Sequence, residues 1–397
     1  MASFCRNPRL LARKGIASAA FCTHNAPPFP SFRAAKAAIV SESDPEKLAQ
    51  LFEQSAHFPN FCRHRPIFHL SVRRLARAGR SDLVNRVIQT QIDTPTFAKS
   101  EGFWIRLMML YSSAGMVEQS LQTLHYISEK RYFDFTEKSL CAILTVYLNN
   151  GMFERVHELF DNMPKKLGVT PGVVSYNLVL KTLVKENRIE SAREWIEKME
   201  NDVNIKPCIQ SYNILLGAYI KEGARSGFDG LVKELLKKGL ECNSTTYNLR
   251  ISRFCKDKEC VRARKMLEEM ISKDVKPNSA SYNSVIDGFC RAGDFESAKK
   301  VLERMLADGY VLPSSFTYYT LMRSMVKEGE FDSALDVCKE IIKRKWIPPF
   351  EAMEGLVNGL VKMSRSAEAK EIIEKMKKRL RGTAVESWEK IEAAVPL

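Results

Sequence analysis

Val173 to Cys208 reads VVSYNLVLKTLVKENRIESAREWIEKMENDVNIKPC. Val174, Leu178, Val179 and Leu183 are apolar at helical spacing, and Glu186-Asn187 breaks the chain direction. Ile189, Ala192, Trp195, Ile196 and Met199 then form a second apolar stripe, and Pro207 stops the following turn. The stretch is helix A, turn, helix B, loop. Neither helix can bury its stripe alone, so such a unit must stack on copies of itself.

The copies are present. Tyr176-Asn177, Tyr212-Asn213, Tyr247-Asn248 and Tyr282-Asn283 recur at intervals of 36, 35 and 35 residues, and Tyr318-Tyr319 follows after 36 more. A period of this length marks a helical solenoid. With Tyr-Asn as positions four and five, position fifteen falls at the helix–helix turn. It holds Gly79, Gly115, Gly151, Asn187, Gly223, Lys258, Gly293, Gly329 and Ser364, mostly residues that tolerate the left-handed backbone ending a helix. Position twenty, inside helix B, is Ala192, Ala263, Ala298, Ala334 and Ala369, where a small side chain lets helices approach. Val84, Ser120, Val156 and Phe228 stand there in the other units. The expected fold is all-α, with about nine helix-turn-helix repeats over residues 65–384. Residues 42–64 read as an N-terminal capping half-repeat and 385–397 as a C-terminal capping segment around Trp388.

The chain has 397 residues and a net charge of +14. Six basic side chains and no acidic one lie in residues 1–41, which read as an organelle transit peptide or unstructured leader. Its arginines favour the mitochondrion, in the matrix, over the chloroplast. No apolar run is long enough for a membrane span. The overall excess of positive charge suits a polyanionic partner, although a basic surface alone does not require one. None of the ten cysteines forms a Cys-x-x-Cys pair, and Cys255 and Cys290, each after a Phe, read as core residues. Cys62, His64 and His69 match no common zinc spacing, so no metal and no cofactor is expected. There is no Gly-rich phosphate loop, nucleophilic triad motif or deaminase pattern, and Glu194, Glu197, Glu268 and Glu269 read as a solvated outer face of helix B. An enzyme, or a small-molecule site, is the least favoured class.

The 35-residue unit, its Tyr-Asn, its helix B alanine and its closing Lys-Pro-Asn resemble the pentatricopeptide repeat family. Residues 279–306, SASYNSVIDGFCRAGDFESAKKVLERML, carry the likeness most fully. The resemblance implies a right-handed superhelical solenoid that binds single-stranded RNA in organelles, mainly in plants, and lacks an editing domain. It further implies that each unit reads one base with its fifth residue and its last. The implied pairs are Asn177 with Cys208, Asn213 with Asn243, Asn248 with Asn278, and Asn283 with Ser314. Together they imply a pyrimidine preference. Position two, where the family packs an aliphatic residue on the base, is Val174, Gln210, Thr245, Ala280 and Phe316. The remaining units have His69, Ile105, Cys141, Tyr319 and Glu354 at position five and carry no readable code.

A side-chain amide offers both a donor and an acceptor to a base edge. Repeated asparagines could equally hydrogen-bond across units and hold the stack in register. The tyrosines are expected to pack between helices rather than touch RNA. Position thirteen ends helix A with Arg77, Lys185, Lys221, Lys256, Arg291, Lys327 and Lys362; the exceptions are Ser113 and Asn149. Cations there are favoured by the helix dipole, and five of them, Lys185, Lys221, Lys256, Arg291 and Lys327, also form a candidate ladder for RNA phosphates. Three functions follow as expectations. One is a single-stranded RNA binder that stabilises, processes or aids translation of a transcript. The alternative is a structural RNA- or protein-binding subunit of the mitochondrial ribosome. A scaffold without RNA contact is the third.

Overall fold

The computed structural model describes residues 29–56, 58, 61, 64–93, 100–130, 132–201, 204–379, 388–389 and 391–392. Every regular element among them is an α-helix, twenty in all. They divide into two compact units, residues 1–171 and 172–397.

The first unit holds α1 (Phe32–Ser41), α2 (Pro45–Ser55), α3 (Arg65–Arg77), α4 (Ser81–Asp93), α5 (Glu101–Ser113), α6 (Val117–Lys130), α7 (Glu137–Asn149) and α8 (Phe153–Leu167). Odd-numbered helices are A helices and pack on one another, α1 on α3, α3 on α5 and α5 on α7. Asp44 caps α2 through Lys47 N–H at 2.8 Å, with Pro45 in the first turn, as a helix start requires. The sequence suggested that α2 stands alone. Instead α1 completes a hairpin with it, burying Ala35 and Ile39, and Arg74 donates to the Glu42 carbonyl at 2.9 Å. Residues 32–41 therefore belong to the packed array. An acid-free, alanine-rich stretch has the composition of a leader and of a small-residue helix alike, so composition did not separate them. The earlier leader residues and Cys62 lie outside the described residues.

The second unit holds α9 (Val173–Lys185), α10 (Ile189–Asn201), α11 (Ile209–Glu222), α12 (Arg225–Lys237), α13 (Ser244–Lys256), α14 (Cys260–Ser272), α15 (Ser279–Arg291), α16 (Phe295–Asp308), α17 (Ser315–Lys327), α18 (Phe331–Lys343), α19 (Phe350–Lys362) and α20 (Ser366–Lys377). From α3–α4 onward each A-to-B turn carries one left-handed residue: all nine position-fifteen residues have positive φ, Asn187, Lys258 and Ser364 included. The position-twenty alanines are fully buried. Phe228, the one large residue there, is also buried, and Gly227 leaves room for the neighbouring Tyr219 ring, which a Cβ would meet at 2.9 Å. Trp388 is buried and meets the Phe350 ring edge-on at 5.6 Å, closing the core at its end.

In this unit the backbones of consecutive A helices from α9 to α19 pack closely on one another, while consecutive B helices lie further apart and meet through side chains such as Arg193 and Glu234. The A helices therefore form the tighter, inner row. Side chains that point away from the B row leave the core on that inner side.

Candidate nucleic-acid interface

The four Tyr-Asn dipeptides sit in the first turns of α9, α11, α13 and α15, and their two side chains find different partners. Tyr212, Tyr247 and Tyr282 are buried. Their hydroxyls cross to the ends of the B helices: Tyr282 donates to Asp308 Oδ2 at 2.7 Å, Tyr247 to Glu269 Oε1 at 3.3 Å, and Tyr212 to Glu200 Oε1 at 2.7 Å. Burial first, and the carboxylate partner second, push the Tyr212 phenol up to about 12. The tyrosines are core, as expected. Glu269 differs from the expectation of a solvated face, because it is half-buried and accepts from Tyr247.

Each asparagine meets the last residue of its own unit, directly or through one hydroxyl. That last residue is the N-cap of the next A helix. Cys208, Asn243, Asn278 and Ser314 hold the extended backbone of a cap before α11, α13, α15 and α17. Asparagine suits this place because its amide oxygen can accept an otherwise unpaired first-turn N–H. Asn243 Oδ1 accepts from Thr246 N–H at 3.0 Å and Asn278 Oδ1 from Ser281 N–H at 3.1 Å. The side chains then pair across the unit. Asn213 Nδ2 donates to Asn243 Oδ1 at 3.2 Å, Asn248 Nδ2 to Asn278 Oδ1 at 3.3 Å, and Asn177 Nδ2 to Cys208 Sγ at 3.8 Å. Asn283 joins Ser314 indirectly: its Oδ1 accepts from Thr317 Oγ1 at 2.8 Å, and Thr317 Oγ1 accepts from Ser314 N–H at 3.2 Å. All four pairs named from the sequence are thus brought together, three by direct bonds and one through a hydroxyl. The bonds also supply the register-holding role.

Burial grades along the row. Asn177 and Asn213 are 6% and 8% exposed, and their Oδ1 atoms have no hydrogen-bond partner. Asn248 and Asn283 are half-buried, while Asn278 and Ser314 are exposed. Cys208 departs from its neighbours chemically. Burial works against its thiolate, but hydrogen bonds from the first-turn N–H groups, Ser211 and Asn177 prevail and hold the thiol below its usual range.

Position two lies fully outside the core. Val174 and Phe316 are 58% and 63% exposed, and Gln210, Thr245 and Ala280 are exposed too. Val174 therefore leaves the apolar stripe in which periodicity placed it, because it sits at the first turn of α9, off the buried face. Position thirteen is exposed throughout, with Lys185, Lys221, Lys256, Arg291 and Lys327 each in the last turn of its A helix. Two are already engaged. Lys256 Nζ donates to the Ile220 carbonyl at the end of α11 at 2.9 Å, and Arg291 pairs with Asp287 at 3.0 Å. Among the uncoded units of this half, Glu354 is exposed and Tyr319 donates to the Ile347 carbonyl at 2.7 Å.

Four A helices of the second unit, α9, α11, α13 and α15, thus carry a polar pair near their starts and a cation in their last turns, with an exposed position-two side chain beside each pair. Sequence reasoning missed the buried position-three hydroxyls Ser211, Thr246, Ser281 and Thr317, which bond to these pairs. Their column of Ser and Thr is plain in the repeats but reads as ordinary capping. Among the described residues no cluster of three or more His, Cys, Asp or Glu is placed to hold a metal, and no helix is long and apolar enough to cross a membrane.

Comparison with known proteins agrees with the repeat. The PPR repeat family model matches residues 207–256, 243–291 and 277–327, and a pentatricopeptide repeat domain model matches 139–186. A PPR repeat model matches 174–202, 316–345 and 355–379. A mitochondrial pentatricopeptide repeat-containing protein of Arabidopsis thaliana is 32% identical over 90% of this chain and 88% of its own length. A small ribosomal subunit protein of the same plant is 27% identical over 98% of this chain and 94% of its own. Another Arabidopsis mitochondrial protein of the family is 35% identical, but there the chain spans only about a third of its relative, 36% of each. Among solved structures, the pentatricopeptide repeat protein PPR10 from maize aligns with a TM-score of 0.38 at 17% identity, covering 91% of this chain and 70% of that one. PPR10 in complex with an 18-nt psaJ RNA element aligns at 0.43, with 15% identity, covering 91% and 66%.

Proposed function

Because the chain belongs to the pentatricopeptide repeat family, we propose that it binds single-stranded RNA in the mitochondrion, along the inner A-helix row of its second unit. The observation that supports this is the row of paired side chains at successive A-helix starts, Asn177 with Cys208 through Asn283 with Ser314, whose later members Asn278 and Ser314 are exposed. Each pair meets one base edge, position two packs against the base, and the cations of position thirteen meet phosphates. The coded stretch prefers pyrimidines and is short. Binding is passive: the protein covers an RNA segment and shields it from nucleases or from competing structure, so stabilising, processing or translating a transcript are the roles open to it.

A second reading has its own support. The chain aligns over nearly its full length with a ribosomal subunit protein, and more than half of its units carry no readable code. It would then hold ribosomal RNA or neighbouring proteins as a structural subunit. Crosslinking in mitochondrial extract followed by sequencing of the bound RNA separates the two, because the first expects a transcript site and the second ribosomal RNA. Replacing Asn213 and Asn248 with Ala tests base reading directly. Affinity for a pyrimidine oligonucleotide should fall by about 1–3 kcal/mol per lost base contact. Unchanged affinity would exclude reading by those units.

A further inference from the structure

We infer that the buried position-three hydroxyls of Ser281 and Thr317 orient the position-five amides of the preceding hairpins, Asn248 and Asn283, so that the amide presented to a base is fixed by a side chain from the next hairpin; this rests on the base-reading role proposed above. Ser281 and Thr317 show the device. Ser281 Oγ accepts from the Asn278 backbone N–H at 3.1 Å, so a lone pair is used. Its single proton has two oxygens in reach, Asn248 Oδ1 at 2.6 Å and Asn278 Oδ1 at 3.2 Å, and the shorter contact takes it. Asn248 Oδ1 thereby faces inward and its Nδ2 faces Asn278. Of the two Nδ2 protons one bonds Asn278 Oδ1, and the other is left for a ligand. Thr317 does the same for Asn283, accepting from the Ser314 backbone and donating to Asn283 Oδ1 at 2.8 Å.

The two earlier units lack this lock. Thr246 Oγ1 donates to Asn243 Oδ1 at 3.1 Å, and Ser211 Oγ lies 3.7 Å from Cys208 Sγ. Correspondingly, Asn213 Oδ1 and Asn177 Oδ1 are buried without a partner. These two amides are held through Nδ2 alone, by Asn243 Oδ1 and Cys208 Sγ, whereas Asn248 and Asn283 are held through Oδ1 by a hydroxyl. The row therefore contains two locked readers, which present a donor, beside two unlocked ones. Ser281 and Thr317 are positioning residues in this scheme, since both are buried and reach RNA only through the amides.

The test uses the full chain and short homopolymers of C, U and A. Ser281→Ala with Thr317→Val should lower the ratio of C-run to A-run affinity by about tenfold, the scale of one hydrogen bond's orientation lost. The salt slope should stay unchanged, and Ser281→Thr with Thr317→Ser should restore the ratio. Ser175→Ala is the control for lost capping. Its hydroxyl bonds Gly172 N–H and carbonyl, each at 3.0 Å, and the position-five residue before it is Cys141, which has no amide. It should leave the ratio intact. An unchanged ratio in the double variant overturns the proposal. If the parent shows no base preference, base reading fails instead, and the lock is then decided without RNA. In 15N-asparagine-labelled protein, the side-chain amide signals of Asn248 and Asn283 should broaden or shift in the double variant; if they do not, the lock is absent.

Discussion

One residue of the reading row is set apart by its chemistry. Cys208 caps α11, where the helix N-terminus and the Asn177 amide stabilise its thiolate, whereas burial pushes the Cys255, Cys290 and Cys338 thiols up to about 12. In limited alkylation with iodoacetamide, read by mass spectrometry, Cys208 should label well before those three. The direction of its shift also means that its labelling should persist to lower pH than that of a model thiol. Glu101 provides the corresponding test in the first unit. Burial opposes its charge, but Ser139 Oγ at 2.7 Å and Thr136 N–H at 2.9 Å hold its carboxyl below the usual range. A depressed carboxylate contributes stability that is present above its unfolded pKa and disappears as pH falls through the folded one. Glu101→Gln should therefore lower the urea midpoint near neutral pH, and the gap to the parent should close in acid below the ordinary carboxylate value of 4.5. An equal gap at both pH values would show that packing rather than charge is at stake.

At the scale of the element, the turn between helix A and helix B is the most stereotyped feature. Nine turns place one residue in left-handed backbone, and six use Gly. Lys258 adopts φ of 60° without being Gly. Left-handed backbone costs a side-chain-bearing residue about 1–2 kcal/mol, partly offset by the entropy Gly loses, so Lys258→Gly should stabilise by roughly 0.5–1 kcal/mol in denaturant unfolding. The opposite holds for the interior glycines of α19. A Cβ at Gly355 would lie 2.6 Å from Val326 Cγ1, and one at Gly359 would enter the Phe331 ring. Gly359→Ala should destabilise by about 1–3 kcal/mol through overpacking. The sequence shows that these glycines lie outside the turn position but not why they are there, because the reason is a side chain of the previous hairpin, Val326 for Gly355 and Phe331 for Gly359.

For the whole molecule, the strength of RNA binding should be set by cations and its selectivity by amides. If all five of Lys185, Lys221, Lys256, Arg291 and Lys327 meet phosphates, log affinity against log salt should have a slope of about −3.5. Lys256 and Arg291 are already held by a carbonyl and by Asp287, so if only the other three contribute the slope should be roughly −2. A slope near zero in titrations with a pyrimidine oligonucleotide would remove the ladder from the account. The paired positions came from the resemblance to the family, whereas the repeat, its length and the hairpin turns were legible in the chain itself, because each unit is a local structure and recurrence repeats the same signal every 35 residues or so. What pairs with what at atomic scale was not. Whether Asn248 donates or accepts, whether Tyr247 finds Glu269, whether Val174 is core or surface, and whether residues 32–41 are leader or helix all depend on contacts with the adjacent hairpin. Periodicity tells a residue's place on its own helix; only the stacking of one hairpin on the next decides which groups are buried together and which amide is left facing a ligand.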